Sequence, residues 1–68
     1  MAQGTVRWFN SESGYGFITD DESESDIFVR YSDIEGSGFR TLEEEQRVEY
    51  YIEEGPKGSY ASRVRPLQ

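Results

Sequence analysis

Most of the aromatic residues lie in the first 39 positions, where their spacing suits the binding of flat molecules. If positions 14–18 form a strand, Tyr15 and Phe17 point to one face of the sheet and Ile18 to the other, because side chains alternate along a strand. An aromatic face left exposed on so small a protein indicates a surface on which flat ligands stack, and nucleobases are the commonest of these. The aromatic residues of this stretch are Trp8, Phe9, Tyr15, Phe17, Phe28, Tyr31 and Phe39.

Positions 26–31 show the same division between an aliphatic and an aromatic face. In a strand there, Ile27 and Val29 point to one side, and Phe28 and Arg30 point to the other. A small soluble protein needs only one buried face. We therefore interpret the aliphatic sides of both strands as core and the aromatic sides as a binding surface.

Alternating apolar residues, separated by turn residues, predict an all-β chain. The first three strands form one group and the last two another, with a long loop between the groups. This arrangement predicts a small closed or partly open barrel, since closure removes exposed sheet edges. The predicted strands cover positions 4–10, 15–19, 27–31, 47–53 and 59–65, and the long loop covers 35–45.

The segments between the predicted strands carry turn and cap signals. The acidic, serine-rich positions 20–25 predict a flexible hairpin loop, and positions 55–58 (GPKG) predict a turn. Ser32 is suited to cap a single helical turn over positions 32–34. Pro66 is expected to end the last strand.

The 68 residues predict one domain, residues 1–68, with a small core. A chain this short buries only ~60% of the surface that its unfolded state exposes, so we expect marginal stability. Tyr50 is expected in the core, whereas Tyr51 and Tyr60 are expected to be exposed on the side away from the aromatic face. The aliphatic core candidates are Val6, Ile18, Ile27, Val29, Ile34, Val48, Ile52, Ala61 and Val64.

The chain contains no cysteine and no histidine. Disulfides and thiolate metal sites are therefore excluded, and the usual general base and commonest metal ligand are missing. The acidic pairs lie on predicted loops without a pocket, so we expect no enzyme, no catalytic residue, no metal and no cofactor. No apolar run reaches the length of a membrane span and no signal sequence is visible, which predicts a cytoplasmic protein.

The net charge conflicts with a simple picture of nucleic-acid binding. Fourteen acidic residues against seven basic ones give a charge of −7, whereas nucleic-acid-binding domains are normally basic. The acidic residues cluster at positions 20–26, 43–45 and 53–54, so a face that carries Arg7 and Arg30 can remain neutral or basic.

The acidic runs are most simply interpreted as solvated surface. Adaptation to concentrated salt and calcium binding at 20–26 are two other interpretations, although the EF-hand spacing and its glycine are missing.

Three segments in order resemble the bacterial cold-shock protein, or cold-shock domain, family. They are positions 4–10 (GTVRWFN), 14–18 (GYGFI) and 27–32 (IFVRYS). Positions 36–42 (GSGFRTL) and the GPKG turn extend the resemblance over essentially the whole chain. No single motif would suffice, but their order and spacing make the resemblance specific.

The resemblance implies a five-stranded antiparallel barrel of the oligonucleotide-binding fold, or OB-fold. Positions 14–18 and 27–31 look like the family's two ribonucleoprotein motifs, which lie on neighbouring strands. The family binds single-stranded RNA and DNA. We accordingly expect a monomer that acts as an RNA chaperone and as a transcription antiterminator or regulator in the cold-shock response.

The resemblance also implies a role for individual residues. Arg7 takes a basic place beside the tryptophan, Lys57 takes one near the phosphates, and Phe9 lies at the partly buried edge of the stacking surface. Arg30 stands where histidine is usual, and it can still stack on a base through its guanidinium plane. The resemblance implies that bases stack on Trp8, Tyr15, Phe17, Phe28, Tyr31 and Phe39.

Side chains at odd and even positions of a strand point to opposite faces, and this parity does not by itself place every one of these residues on the outer face of the barrel. Trp8 shares its even number with Val6, so parity alone would put it in the core. A β-bulge between the two would turn Trp8 outward, as the resemblance requires. Tyr31 shares its parity with Val29, but it ends its strand at a point where the chain can turn.

Two departures from the family's pattern predict weaker binding. Ser13 stands where lysine is usual, with Glu12 beside it, so a phosphate-facing charge is lost and affinity should depend less steeply on salt. Ser59 stands where proline is common, which loosens the last turn. The alternative is an acidic barrel whose aromatic surface binds a protein partner, with nucleic-acid binding weakened or lost.

Overall fold

The computed structural model describes residues 1–35 and 41–67, which form five strands and one short 3₁₀ turn. Their bounds are β1 Ala2–Asn10, β2 Tyr15–Asp20, β3 Asp26–Arg30, the 3₁₀ turn Tyr31–Asp33, β4 Arg47–Gly55 and β5 Gly58–Pro66. The strands close on themselves in the order β1–β2–β3–β5–β4. The predicted all-β class and five-stranded barrel are therefore confirmed. Within the described ranges no helix is long and apolar enough to cross a membrane.

The barrel is closed by one parallel seam. β1 pairs antiparallel with β2 and β4, β2 pairs antiparallel with β3, and β4 pairs antiparallel with β5. β3 and β5 instead run parallel where Phe28 faces Tyr60, and a parallel bridge between Ile34 and Val64 continues the seam. The seam brings the first residues of β5 against the middle of β3.

The core is made by the inward-facing side chains of the strands, with contributions from the connections between them. Tyr50 is buried as predicted. Leu42, which is not among the predicted core residues, is buried as well. The predicted core residues that are buried are Val6, Ile18, Ile27, Val29, Ile34, Val48, Ala61 and Val64.

The prediction that Ile52 points inward is wrong. The pairing of β4 with β5 shifts its register between Glu49 and Tyr51, and such an irregularity changes the face to which the following residues point. Tyr50 stays buried, but Tyr51 and Ile52 are each 44% exposed. The core is therefore smaller by one isoleucine than the alternation predicts.

The turn after β3 also differs from the prediction. It begins at Tyr31, and Arg30 occupies the N-cap position without a side-chain hydrogen bond. Ser32 therefore lies inside the turn and does not cap it. Because β3 ends at Arg30, Tyr31 lies beyond the sheet. The alternation of side chains along β3 therefore does not determine which way Tyr31 points.

Asp20 ends β2 in the interior of the protein, which corrects the prediction of a flexible loop from this position. The residue is 4% exposed. Its carboxylate accepts hydrogen bonds from the Tyr50 hydroxyl and from the backbone N–H groups of Glu22 (3.1 Å) and Ser23 (3.0 Å). The bond from the Ser23 backbone, followed by that from Tyr50, lowers the pKa of Asp20. Burial, followed by the bond to Asp20, raises the pKa of Tyr50.

Replacing Tyr50 by Phe should destabilise the barrel by about 1–3 kcal/mol, because Asp20 loses a buried donor. The pKa of Asp20 in the folded state lies below its ordinary value of 3.8. Its hydrogen bonds therefore contribute full stability above that value, and the contribution is lost as pH falls through the folded-state pKa. Tyr50→Phe should bring the pKa of Asp20 in the folded state closer to its pKa in the unfolded state. The variant should therefore lose less stability on acidification than the wild type. Urea unfolding at neutral pH and at about pH 3 measures both effects.

The matched control is Tyr51→Phe, which removes a hydroxyl from an exposed tyrosine of the same strand. It should change the free energy of unfolding by less than about 0.5 kcal/mol. Equal effects of the two substitutions, or an unaltered pH dependence in Tyr50→Phe, would contradict the stabilising role of the Tyr50–Asp20 bond.

Candidate nucleic-acid interface

Four aromatic rings form one continuous cluster on the outside of β1, β2 and β3, which we call the aromatic platform. Phe17 on β2 is the cross-strand partner of Trp8 on β1 and of Phe28 on β3. The centroid of the Phe17 ring lies 5.6 Å from that of Trp8 and 5.7 Å from that of Phe28. Tyr15 lies 5.6 Å from both Trp8 and Phe28. Each ring therefore contacts two others through tilted or edge-on packing.

The platform faces outward because the opposite face of the same strands fills the core. Ile18 and Val29 are fully buried, which leaves the alternate positions of β2 and β3 on the outside. The bulge that Trp8 requires is present, since the pairing of β1 with β2 shifts its register between Val6 and Trp8.

The platform rings are only partly exposed. Tyr15 is 38% exposed, and Trp8, Phe17 and Phe28 are half-buried. The prediction that Phe17 and Phe28 are exposed thus holds only in part, because neighbouring rings cover each other's edges.

Two glycines next to the platform meet different backbone requirements. A Cβ on Gly16 would lie 2.7 Å from the Phe9 Cα and would collide with the Trp8 carbonyl oxygen, so any side chain there would push β1 and β2 apart. Gly14 has a φ of +81°, which side chains disfavour. These requirements give a physical reason for both glycines of the GYGF segment.

The remaining aromatic residues of the predicted site occupy different surroundings. Tyr31 is 56% exposed and lies next to Gly14, whose carbonyl oxygen accepts a hydrogen bond of 2.8 Å from the Tyr31 backbone N–H. Phe9 is half-buried and packs against the core, as expected for a residue at the edge of the platform. Phe39 lies outside the described residues.

The predicted basic residues differ in how they are paired. Arg7 lies 3.5 Å from Asp26, so its charge is partly compensated at the edge of the platform. The Nε of Arg30 lies 3.6 Å from a carboxylate oxygen of Asp33. Lys57 makes no ion pair with any residue in ranges 1–35 and 41–67. Lys57 is thus the predicted binding cation whose charge is least offset by a neighbour.

Tyr60 lies beside the platform, and the prediction that it lies on the far side is wrong. It faces Phe28 across the parallel seam, and the guanidinium carbon of Arg30 lies 5.9 Å from the centroid of its ring. Parity could place Tyr60 outside, because its neighbour Ala61 is buried. Its proximity to Phe28 depends on the pairing that closes the barrel, which the sequence pattern does not reveal.

The acidic surface is partly held in ion pairs away from the platform. Arg47 donates two hydrogen bonds to Asp21, of 2.9 Å and 2.6 Å, and Arg65 lies 2.7 Å from Glu49. No group of three or more acidic side chains among residues 1–35 and 41–67 is arranged to hold a metal ion. The exposure of the acidic runs beyond Asp20 favours their interpretation as solvated surface, with Asp21 held in an ion pair.

Comparison with known proteins gives matches over almost the whole chain. Residues 2–67 match the "Cold-shock" DNA-binding domain family. The chain is 54% identical to the probable cold shock protein A of Mycolicibacterium smegmatis over 67 residues, or 98% of this chain and 100% of that protein. It is 56% identical to the cold shock protein of Arthrobacter globiformis over 94% of this chain and 96% of that one. It is also 50% identical to the cold shock-like protein CspD of Vibrio cholerae, over 100% of this chain and 90% of that one.

Proposed function

The chain belongs to the cold-shock DNA-binding domain family, and we propose that it binds single-stranded RNA and DNA by stacking unpaired bases on the aromatic platform. Members of this family are nucleic-acid-binding proteins of the cold-shock type and not enzymes. The observation that carries the finer proposal is the continuous outward cluster of four rings on adjacent strands.

Stacking explains why unpaired strands are the preferred ligand. An unpaired base exposes both faces of its ring system, and an aromatic side chain replaces the lost contact with a neighbouring base at ~1–3 kcal/mol per base. In a duplex those faces are covered by neighbouring bases, so a double strand exposes few base faces that could stack on the platform. Every base has such a face, and sequence preference should therefore be mild.

The residues of the proposed site divide into stacking and charged groups. Arg7, Arg30 and Lys57 supply positive charge for the phosphates, and Phe9 supports the edge of the platform. Stacking is assigned to Trp8, Tyr15, Phe17, Phe28, Tyr31 and Phe39.

The electrostatics of the site make stacking the larger contribution. Arg7 and Arg30 each lie beside a carboxylate, and Ser13 adds no charge where a lysine is usual in the family. Because salt dependence grows with the number of neutralised phosphates, binding should fall only moderately as salt rises.

Selective binding accounts for an RNA chaperone without an energy source. A protein that binds unpaired RNA and not paired RNA shifts the equilibrium toward the unpaired form by mass action. The proposed unit is a single cytoplasmic domain, residues 1–68, acting as a monomer. Transcription antitermination or regulation in the cold-shock response would follow from the same shift in RNA pairing.

A second candidate is an acidic barrel whose aromatic platform binds a protein partner. It is favoured by the charge of −7 and by the Arg7–Asp26 pair, which reduces positive charge at the platform. Lys57 argues against it, since it forms no ion pair within ranges 1–35 and 41–67, and a cation near a stacking surface suits a phosphate. Inert oligonucleotides, together with a protein partner that binds through the same rings, would favour this candidate.

Replacing Phe17 and Phe28 together by Ala should weaken the binding of oligo-dT by at least about 30-fold, because two stacking faces are removed. The fold should survive, since the aliphatic residues on the opposite face of β2 and β3 remain. Fluorescence anisotropy of a labelled oligonucleotide measures affinity, and circular dichroism monitors the fold. Tyr51→Ala is the control, as it removes an exposed ring that lies outside the platform. Binding like that of the wild type, or unfolding of the double variant in native buffer, would contradict a surface role for the two rings.

Replacing Ser13 by Lys should raise affinity and steepen the plot of log affinity against log salt by about 0.7, as expected for one more phosphate contact on a single strand. Gln3→Lys adds the same charge at the start of β1, away from Trp8 along the strand. It should leave the slope nearly unchanged. If both variants steepened the plot equally, overall charge, and not a contact at position 13, would control the salt dependence.

A further inference from the structure

A groove continues the aromatic platform across the parallel seam between β3 and β5. It encloses about 560 Å³ and is lined by the rings of Phe28 and Tyr60, by Arg30, and by the turn that carries Lys57. This volume lies within the ~300–1,000 Å³ that is typical of ligand pockets. Phe28 belongs to both surfaces, because its ring also contacts Tyr15 and Phe17 on the platform. A strand lying on the platform would therefore reach the groove without leaving the protein surface.

Tyr60 holds a defined position in this groove. Its Cα is paired with that of Phe28 across the seam, so both side chains emerge on the same side of the barrel. The guanidinium of Arg30 lies over the Tyr60 ring at 5.9 Å, within the range of a cation–π contact. Asp33 also lies 3.6 Å from the same guanidinium. The Tyr60 ring and the Arg30 guanidinium are thus in contact within the lining of the groove.

Gly55 lets the end of β4 lie close to the ring of Tyr60, which is half-buried. A Cβ at position 55 would lie 3.2 Å from Cε1 of Tyr60 and 3.3 Å from Cδ1, so a side chain there would press against the ring. Gly55 stands at the end of β4, directly before the turn that contains Lys57. The turn therefore supplies a cation next to a residue that has no side chain to fill the groove.

The charges around the groove indicate which part of a nucleotide it suits. Lys57 and Arg30 are its cations. Glu54 also lines it, and its carboxylate accepts a hydrogen bond of 2.9 Å from the Ser59 hydroxyl. A phosphate is favoured next to Lys57 and disfavoured next to Glu54, whereas a neutral base is accepted along the rings.

We propose that this groove is an additional nucleotide subsite, in which Tyr60 provides the stacking face for one unpaired base beyond those held on the aromatic platform. The proposal rests on the single-strand binding proposed above and extends it by one position. Tyr60 lies on β5, outside the segments that carry the other stacking residues, so it adds a subsite from another part of the chain.

Oligo-dT of increasing length, from about four to nine nucleotides, tests this subsite. Tyr60→Ala should bind the longer oligonucleotides about tenfold more weakly than the wild type. The length at which affinity stops increasing should be one nucleotide shorter. Tyr60→Phe should retain both properties, because the ring remains. Tyr60→Leu keeps an apolar side chain against Gly55 but has no flat face, so it should behave like Tyr60→Ala. Calorimetric titration measures affinity, and thermal unfolding establishes that each variant is folded.

Tyr51→Ala is the matched control, since it removes an exposed tyrosine that does not line the groove, and it should bind like the wild type. If Tyr60→Ala binds like Tyr51→Ala at every length, or if Tyr60→Leu retains full affinity, the subsite is refuted while binding to the platform stands. If the wild-type protein binds no oligonucleotide of any length, the subsite and the proposed function are refuted together.

Discussion

The structure depends on the division of β2 and β3 between an aliphatic face that fills the core and an aromatic face that points outward. A barrel of this size has room inside for little more than one layer of aliphatic side chains and the ring of Tyr50, which close packing requires to fit without voids. The rings of Phe17 and Phe28 are consequently left outside, where they cover one another. The same alternation that builds the core therefore builds the platform, and a shift of one residue in register would exchange the two faces.

The distribution of charge on the barrel fits this division. Apart from the buried Asp20, acidic groups lie on the surface, where some are held by arginines, as in the bidentate pair of Arg47 with Asp21, and the platform itself consists of neutral rings. A binding surface that gains most of its free energy from stacking does not need a strongly basic protein around it. In the proposed binding mode, the charge of −7 would mainly limit how fast and how tightly phosphates are attracted. This reconciles an acidic composition with membership of a nucleic-acid-binding family.

Much of this arrangement could be predicted from the sequence, because strand parity is a local property. The opposite facing of Phe17 and Ile18 follows from their adjacent positions, and the bulge before Trp8 could be anticipated from the conflict between parity and the family resemblance. Ile52 could not be placed correctly, since a register shift in the pairing of β4 with β5 has no signal in the alternation. Tyr60 could not be placed beside Phe28, because that contact arises only when the parallel seam closes the barrel. Local pattern thus predicts which residues face outward where the pairing is regular, whereas long-range pairing decides the facing after a register shift and which outward residues meet.

The most direct test of the platform is the fluorescence of Trp8, the only tryptophan of the chain, whose ring lies 5.6 Å from both Tyr15 and Phe17. Titration with single-stranded oligo-dT at low and at high salt should quench this fluorescence to saturation, with a moderate loss of affinity as salt rises. A duplex of the same length should leave the signal nearly unchanged. Absence of quenching at low salt, or equal quenching by the duplex, would contradict the assignment of these rings as a platform for unpaired bases.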